Sequence, residues 1–550
     1  MRALLGLSLA TVALWPRAAV ATSPEEPPPA GRIQPRAEDT PWGVSPPADP
    51  QRPAPPGEDV ETPDAVQPQD PGVDPEQGAE QAGEQGAEQA GEQPVEQPEP
   101  SDETPAPEVI EPEVADPGDA RPDGPSTHEN VLALEKKLGP KQIEVSAAVY
   151  GMVVTNVVFN TGTVGPTGES PVFAPAGSTI GEGLATDGEF LITARQSRFG
   201  LKGGVQITQR VDINGLIEVD FFGLHENEGP TSVLQPGVRL RLAKLDVGDD
   251  RFRFIAGQDW SIVTPRLPTS LSHMVVAAHS FAGAVWGRLP QVTFAFRQPL
   301  GKADSPLGEP KFSVQISAAR NFSGEGFGGG ITRFDKPDPG TLGLLPVGQA
   351  RVAFESKVFS LGAGGHIGRE NHQVARLDGD GNLTTIDDHV PTWMVTGDLK
   401  LASKWVWFAG QGYYGHNING MLSNQGVRFD RWSADEIDPA DPRVGQPRDV
   451  VELPGGGGWA EIGALLGTEK VQLVASGGAD VGDRELVAVG GRWLNTGVLA
   501  ALIYAPIPQF DMSIEYQRIM SFYRGSSEDA PLRETRGNND FVAASFRFKF

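Results

Sequence analysis

The sequence predicts an all-β fold, a single transmembrane antiparallel β-barrel of about 16–18 strands, preceded by a disordered acidic segment and a short helix. Three observations predict it. A secretory leader opens the chain, period-two alternation runs from Gln142 to the end, and the terminal stretch FVAASFRFKF ends with the aromatic Phe550 on its apolar face.

At the leader, Met1 and Arg2 precede the apolar stretch Ala3 to Trp15, and Arg17 precedes the small triplet Ala19-Val20-Ala21. This is the pattern of a signal peptide cleaved after Ala21, because the apolar run is shorter than the roughly 20 residues a spanning helix needs. Residues 1–21 are therefore assigned to the leader. No Cys occurs in 550 residues, which excludes a disulfide framework and a thiolate metal site. Ordinary transmembrane helices are excluded too, since after residue 21 no apolar run reaches the length they require; strands carry a weaker hydropathy signal and stay open.

The net charge is −27, and it is unevenly placed. Residues 22–123 hold 26 Asp and Glu against four Arg, whereas 124–550 hold 46 acids against 39 bases. Neither part is a nucleic-acid binder on charge. Residues 22–125, rich in Pro, Glu and Gln with Trp42 as an isolated aromatic, have too little apolar surface to offset conformational entropy and are expected to be a disordered periplasmic segment. From Glu76 to Glu96, Glu-Gln recurs every four residues; a helix would stack those glutamates in one like-charged stripe.

Residues 126–140, STHENVLALEKKLGP, predict a short helix: Ser126 and Glu129 form a capping box, Gly139 a stop, and Val131, Leu134 and Leu138 an apolar seam. Too short to stand alone, it calls for a packing surface, either a barrel rim or the same helix of neighbouring subunits.

Residues 141–550 form the expected barrel. Asn214-Gly215, between two alternating runs, predicts a hairpin turn. Ile217, Val219 and Phe221 oppose Glu218 and Asp220; Val238, Leu240 and Leu242 oppose Arg239 and Arg241; Phe510, Met512, Ile514 and Tyr516 oppose Asp511, Ser513 and Glu515. A soluble sandwich also alternates. It does not explain aromatics near strand ends, Trp393, Trp405, Trp407, Tyr413, Tyr414 and Tyr504, which suit membrane girdles. A closed barrel of this size leaves an aqueous channel and no sheet edge.

The run ITARQSRFGLKG (Ile192 to Gly203), then IEVDFFG (Ile217 to Gly223) and FIAGQDWSIVTPRLPTSL (Phe254 to Leu271), resembles the motif order of DcaP-like outer-membrane porins. The resemblance is best over about 190–300. It implies a trimeric passive channel with an N-terminal helical extension, favouring small anions such as dicarboxylates.

Strand parity places Arg198, Lys202, Arg239, Arg241, Arg297, Arg351, Arg547 and Lys549 in the lumen, with Glu218, Asp220, Glu355, Asp511 and Glu515. Guanidinium clusters favour anions, and mutual salt bridging is the competing use of the same side chains. Between Ser261 and Ser280 the period breaks; this loop either constricts the pore, with Arg266 as an eyelet charge, or lies exposed. Segments 321–348, 370–390 and 417–456 read as long external loops, and Asp378 to Asp388 only superficially matches a calcium loop. Phe546, Phe548 and Phe550 resemble the C-terminal signal read by the barrel assembly machinery and are expected to serve as one.

The expected function is passive diffusion of small hydrophilic solutes, anions preferred, through the outer membrane of a Gram-negative bacterium. The expected partners are outer-membrane lipid, the solutes, the barrel assembly machinery and two further copies in a homotrimer; no catalysis, metal or cofactor is expected. Two alternatives stay open: a tethering barrel whose acidic tail is the working part, and an outer-membrane hydrolase. The hydrolase lacks both a G-x-S-x-G elbow and an H-E-x-x-H helix, and His366 is a lone strand histidine.

Overall fold

A computed structural model describes residues 136–138, 143–162, 169–177, 188–208, 210–223, 237–301, 307–322, 338–421, 423, 427–527, 530 and 535–550. The expected leader and the acidic segment 22–125 lie outside the described residues.

In chain order the strands are β1 (Lys136–Leu138), β2 (Ile143–Asn160), β3 (Glu189–Thr193), β4 (Arg198–Gln206), β5 (Asp212–Gly223), β6 (Gly237–Gly248), β7 (Phe252–Trp260), β8 (Arg288–Pro299), β9 (Lys311–Ala319) and β10 (Val347–Glu355). They continue as β11 (Phe359–Leu377), β12 (Leu383–Ala402), β13 (Val406–His416), β14 (Val427–Arg431), β15 (Pro447–Glu452), β16 (Pro454–Leu465), β17 (Val471–Gly482), β18 (Arg492–Ile507), β19 (Phe510–Tyr523) and β20 (Arg536–Lys549). A single turn of helix, α1 (Pro339–Leu342), stands between β9 and β10.

β3 and β4 are two parts of one wall strand, β14–β15 is a separate hairpin, and the three-residue β1 only extends the edge of β2, so sixteen antiparallel strands close the barrel. Closure joins the two ends of the sheet, with β20 pairing β19 on one side and β2 on the other. Phe550 completes that seam: Gly151 N–H donates to its carbonyl at 2.9 Å and its own N–H donates to Gly151 at 3.0 Å. With the sixteen wall strands each paired on both sides, the backbone of the wall can face hydrocarbon without orphaned polar groups. The outward face supplies the matching apolar surface, for example Phe199, Leu201, Val292, Phe294, Ile514 and Val542.

Strands are joined by short turns at one end and long loops at the other. Asp249 closes the β6–β7 turn by accepting Arg251 and Phe252 N–H, and the Phe252 bond holds its carboxyl below the usual carboxylate range. Asp378 does the same at the tip of the β11–β12 hairpin, where the Asn382 N–H is the main cause.

Several expectations are corrected. Lys136–Leu138, expected to end the helix 126–140, is a strand paired with Ile143–Val145; the rest of that segment is outside the described residues. β1 takes the edge of β2 that β20 leaves beyond Phe550, and an unpaired strand edge is a stronger demand than a marginal helix can oppose. Asn214-Gly215 is not a turn but the interior of β5, paired with Gly203 and Gly204; the chain reverses earlier, where Ile207 N–H donates to Val211 O. Leu242 is buried rather than lipid-facing, because the register with β5 slips between Glu218 and Val219 and flips the face below it. Trp407 and Tyr413 point inward, bonding Glu461 and Asp480: nearness to a strand end does not choose the face, parity does. Segment 370–390 is not a loop but the long continuation of β11 and β12 past the barrel.

Candidate functional site

Within the barrel, residues 261–287 run inside the lumen between β7 and β8. Their anchors can be followed in order. Thr396 hydroxyl donates to Val263 O at 2.9 Å, and Arg266 Nε donates to Asp398 at 2.9 Å, its Nη2 to Ser360. Glu461 accepts Thr269 N–H at 2.7 Å and its hydroxyl at 3.0 Å. Glu515 accepts Leu271 N–H at 2.7 Å, Ser272 N–H at 3.1 Å and the Ser270 and Ser272 hydroxyls. Gln196 then donates to Ser272 O at 2.7 Å and accepts Met274 N–H at 2.9 Å, while Arg198 Nη2 donates to Met274 O. Farther on, His279 Nε2 lies 2.8 Å from the Ser476 hydroxyl, and Asn495 donates to Phe281 O at 2.9 Å.

The break between β3 and β4 makes part of this possible. Ser197 binds the backbone of Val154 on β2, which turns Arg195 and Gln196 out of the ladder and into the lumen. Two glycines do the rest: a Cβ on Gly478 would collide with Ala282 O, and one on Gly497 would sit 2.7 Å from His279 Nδ1. The loop lies against the wall where the wall has no side chain. A second inward segment, 169–177, meets it: Ser170 hydroxyl donates to Ser272 O at 3.3 Å, Glu169 pairs Arg195, and Tyr523 hydroxyl donates to Ala174 O at 2.6 Å.

The predicted lumen residues fall into three groups. On β4–β6, Arg239 grips Asp220 through Nε at 3.1 Å and Nη2 at 2.7 Å, and buried Arg241 bridges Glu218 at 2.8 Å and Asp220 at 3.0 Å. Tyr150 hydroxyl donates to Glu218 at 3.1 Å, and Lys202 Nζ stands 6.0 Å from the Tyr150 ring centroid. Arg198 is the cross-strand neighbour of Asp220. On β10–β12, Arg351 reaches Asp398 at 2.8 Å beside Arg266, with exposed Glu355 at 3.9 Å. At the short-turn end, Arg547 and Lys549 share Asp511. Arg297 joins none of these; it stands exposed near the end of β8. Glu515 serves the loop instead of the passage. Phe546, Phe548 and Phe550 face outward.

The loop's anchors fall at the β3–β4 break, on β4 and on β10–β19, whereas two ion-paired cations on β6 keep more of their surface accessible than Arg266, Arg547 or Lys549: Arg239 at 33% and Lys244 at 26%. Lower on this side the balance reverses, Arg253 lying between Asp212 at 3.0 Å and Asp246 at 2.6 Å. Sequence reading missed Asp398 and Glu461. Each is a lone acid within an alternating strand (TGDLKLA, GWAEIGAL), the same signal that singles out Glu515. It also missed the segment 169–177, which carries no alternation.

The sequence matches no protein-family model and no curated protein. The structure is similar to the crystal structure of the outer-membrane channel DcaP of Acinetobacter baumannii, with a TM-score of 0.51 and 15% identity over 76% of this chain and 100% of that chain. It is also similar to an anion-selective porin from Comamonas acidovorans (TM-score 0.43, 11% identity, 74% of this chain and 100% of that one). A third likeness is Salmonella typhi OmpF in complex with daunomycin (0.44, 13%, 76% and 100%). The barrel therefore has the fold of the DcaP channel.

Proposed function

We propose that the chain is an outer-membrane porin, a passive diffusion pore for small hydrophilic solutes that favours anions such as dicarboxylates. In this reading the short turns and the N-terminal segment 22–125 face the periplasm, the barrel assembly machinery reads the terminal phenylalanines, the working form is a homotrimer, and the chain is not an enzyme.

One observation carries the anion preference: three lumen carboxylates, one in each predicted patch, each hold two cations. Asp220 takes Arg239 and Arg241, Asp398 takes Arg266 and Arg351, Asp511 takes Arg547 and Lys549, while Glu461 and Glu515 are consumed by the inward loop. Guanidinium groups retain further donors after one carboxylate is bound, and these can take the place of an anion's hydration shell. The test is electrophysiological. Purified protein in a planar bilayer should give stepwise conductance, and its reversal potential in a salt gradient should show anion preference. A sealed bilayer would remove the pore reading, and cation selectivity would remove the anion reading alone.

A further inference from the structure

The outward wall carries a feature that the pore does not use. On β9 and β11 the outward residues are apolar until the long-loop rim, where each strand presents an arginine on the same face. Arg320 follows Phe312 and Ile316, and Arg369 follows Leu361 and Ile367. Arg320 stands eight residues above Phe312, and Arg369 eight above Leu361, with Phe359 one step lower on the second row. At a strand rise of about 3.3 Å and the usual barrel tilt, that places both at one height, roughly 20 Å up, at the upper border of the apolar band.

Both guanidiniums are held by α1 and the residue that follows it. Arg320 Nη2 donates to the Thr341 hydroxyl at 3.3 Å and Arg369 Nε donates to Gly343 O at 3.0 Å. Neither forms an ion pair with a carboxylate among the described residues. One donor used out of five leaves a fork for an anion on each arginine. Directly beside them, Leu344 is 84% exposed and Leu345 56% exposed, with Leu344 held at φ 60°. Two leucines held out at the edge of a hydrocarbon belt, next to two arginines, match an amphiphile: phosphate above, acyl chain below.

We infer that Arg320 and Arg369 bind the phosphate of a phosphorylated lipid in the leaflet at the long-loop end, with Leu344 and Leu345 against its acyl chains. The inference rests on the outer-membrane orientation proposed above. Its test does not depend on conduction, so the two can fail separately.

The full chain, purified in detergent, is incubated with bisphosphorylated lipid A and examined by native mass spectrometry. The wild type should retain bound lipid. An Arg320→Gln, Arg369→Gln variant should lose retention by roughly tenfold or more, the expected scale for two charge-assisted contacts. A Leu344→Ser, Leu345→Ser variant should weaken retention with both arginines intact. Each variant is first checked for the compact gel mobility of a closed barrel. Equal retention in the arginine variant overturns the site. Displacement of the lipid by millimolar inorganic phosphate also overturns it, by showing that the arginines take a free anion rather than a lipid headgroup.

Discussion

The Glu515 carboxylate accepts the backbone N–H of Leu271 at 2.7 Å, across 244 positions of sequence. With Ser270 and Ser272 bound to the same group, one wall acid holds three consecutive residues of the inward loop. Glu515→Ala leaves these buried donors without an acceptor, at about 1–3 kcal/mol each before relaxation. The expected result is a barrel that unfolds at lower temperature and a noisier single-channel current. Unchanged melting with a quiet trace would show that the loop is held elsewhere.

Arg241 is the most enclosed cation of the lumen, fully buried between Glu218 and Asp220. Arg241→Leu leaves those carboxylates short of compensation and should destabilise by about 3–5 kcal/mol. Arg241→Lys restores the charge but not the two-sided geometry, so it should fall between the two. Denaturant unfolding of the three proteins gives the order, and a leucine variant as stable as the wild type would contradict it.

Gly478 and Gly497 make room for the loop, so a side chain at either should displace it. Gly478→Val puts its Cβ into Ala282 O, a backbone atom that cannot swing aside. Because the chain has no Cys, a single Ala282→Cys reports on this position alone. Ala282 is buried, so a maleimide should label the cysteine slowly in the parent background and quickly when Gly478→Val is added. Equal labelling rates would mean that the loop does not depend on this glycine.

The barrel is legible because its signal is repeated in every strand. Alternation in β5, β19 and β20 is enforced by lipid on one face and water on the other, and an error in one strand leaves the count almost intact. The same averaging fails for single residues. One bulge moves Leu242 to the other face, and Tyr413 sits near a strand end without belonging to a girdle. Asn214-Gly215 looks like a turn locally, yet nine consecutive pairings between β4 and β5 outweigh the preference of two residues. The inward path of 261–287 is visible in the sequence only as lost alternation. Its clasps, Asp398, Glu461 and Glu515, are brought together by barrel closure, a long-range event that local pattern does not encode.

Phe550 has two separable jobs. Its backbone exchanges hydrogen bonds with Gly151, and its ring occupies the space where a Gly151 side chain would stand, 2.6 Å from that Cβ position. Deleting Phe550 removes a single pair from a seam that also joins Met152–Asn160 to Phe541–Lys549, so refolding in detergent should still yield closed barrels. In cells the assembled fraction should drop. Loss of refolding in detergent would make Phe550 a structural keystone, and normal assembly in cells would remove it as a recognition signal.

For the proposed pore, the short-turn mouth offers the clearest test of selectivity, because two cations there face one acid. Lys549 Nζ lies 3.2 Å from Asp511, and Arg547 holds the same carboxylate. Neutralising the cations, Arg547→Gln with Lys549→Gln, exposes Asp511 and should move the reversal potential toward cation preference. Asp511→Asn should move it the opposite way. Arg547 Nη1 also lies 3.8 Å from Met274 Sδ of the inward loop, so Lys549→Gln alone, which leaves that contact in place, should change the selectivity more than the conductance step. Charge effects on a passing ion are screened within about 10 Å at 0.1 M salt, so both shifts should shrink as salt is raised. Shifts of equal sign for the two variants would show that the mouth charges do not set the preference. The selecting element would then lie higher in the lumen, among Arg239 and Lys202.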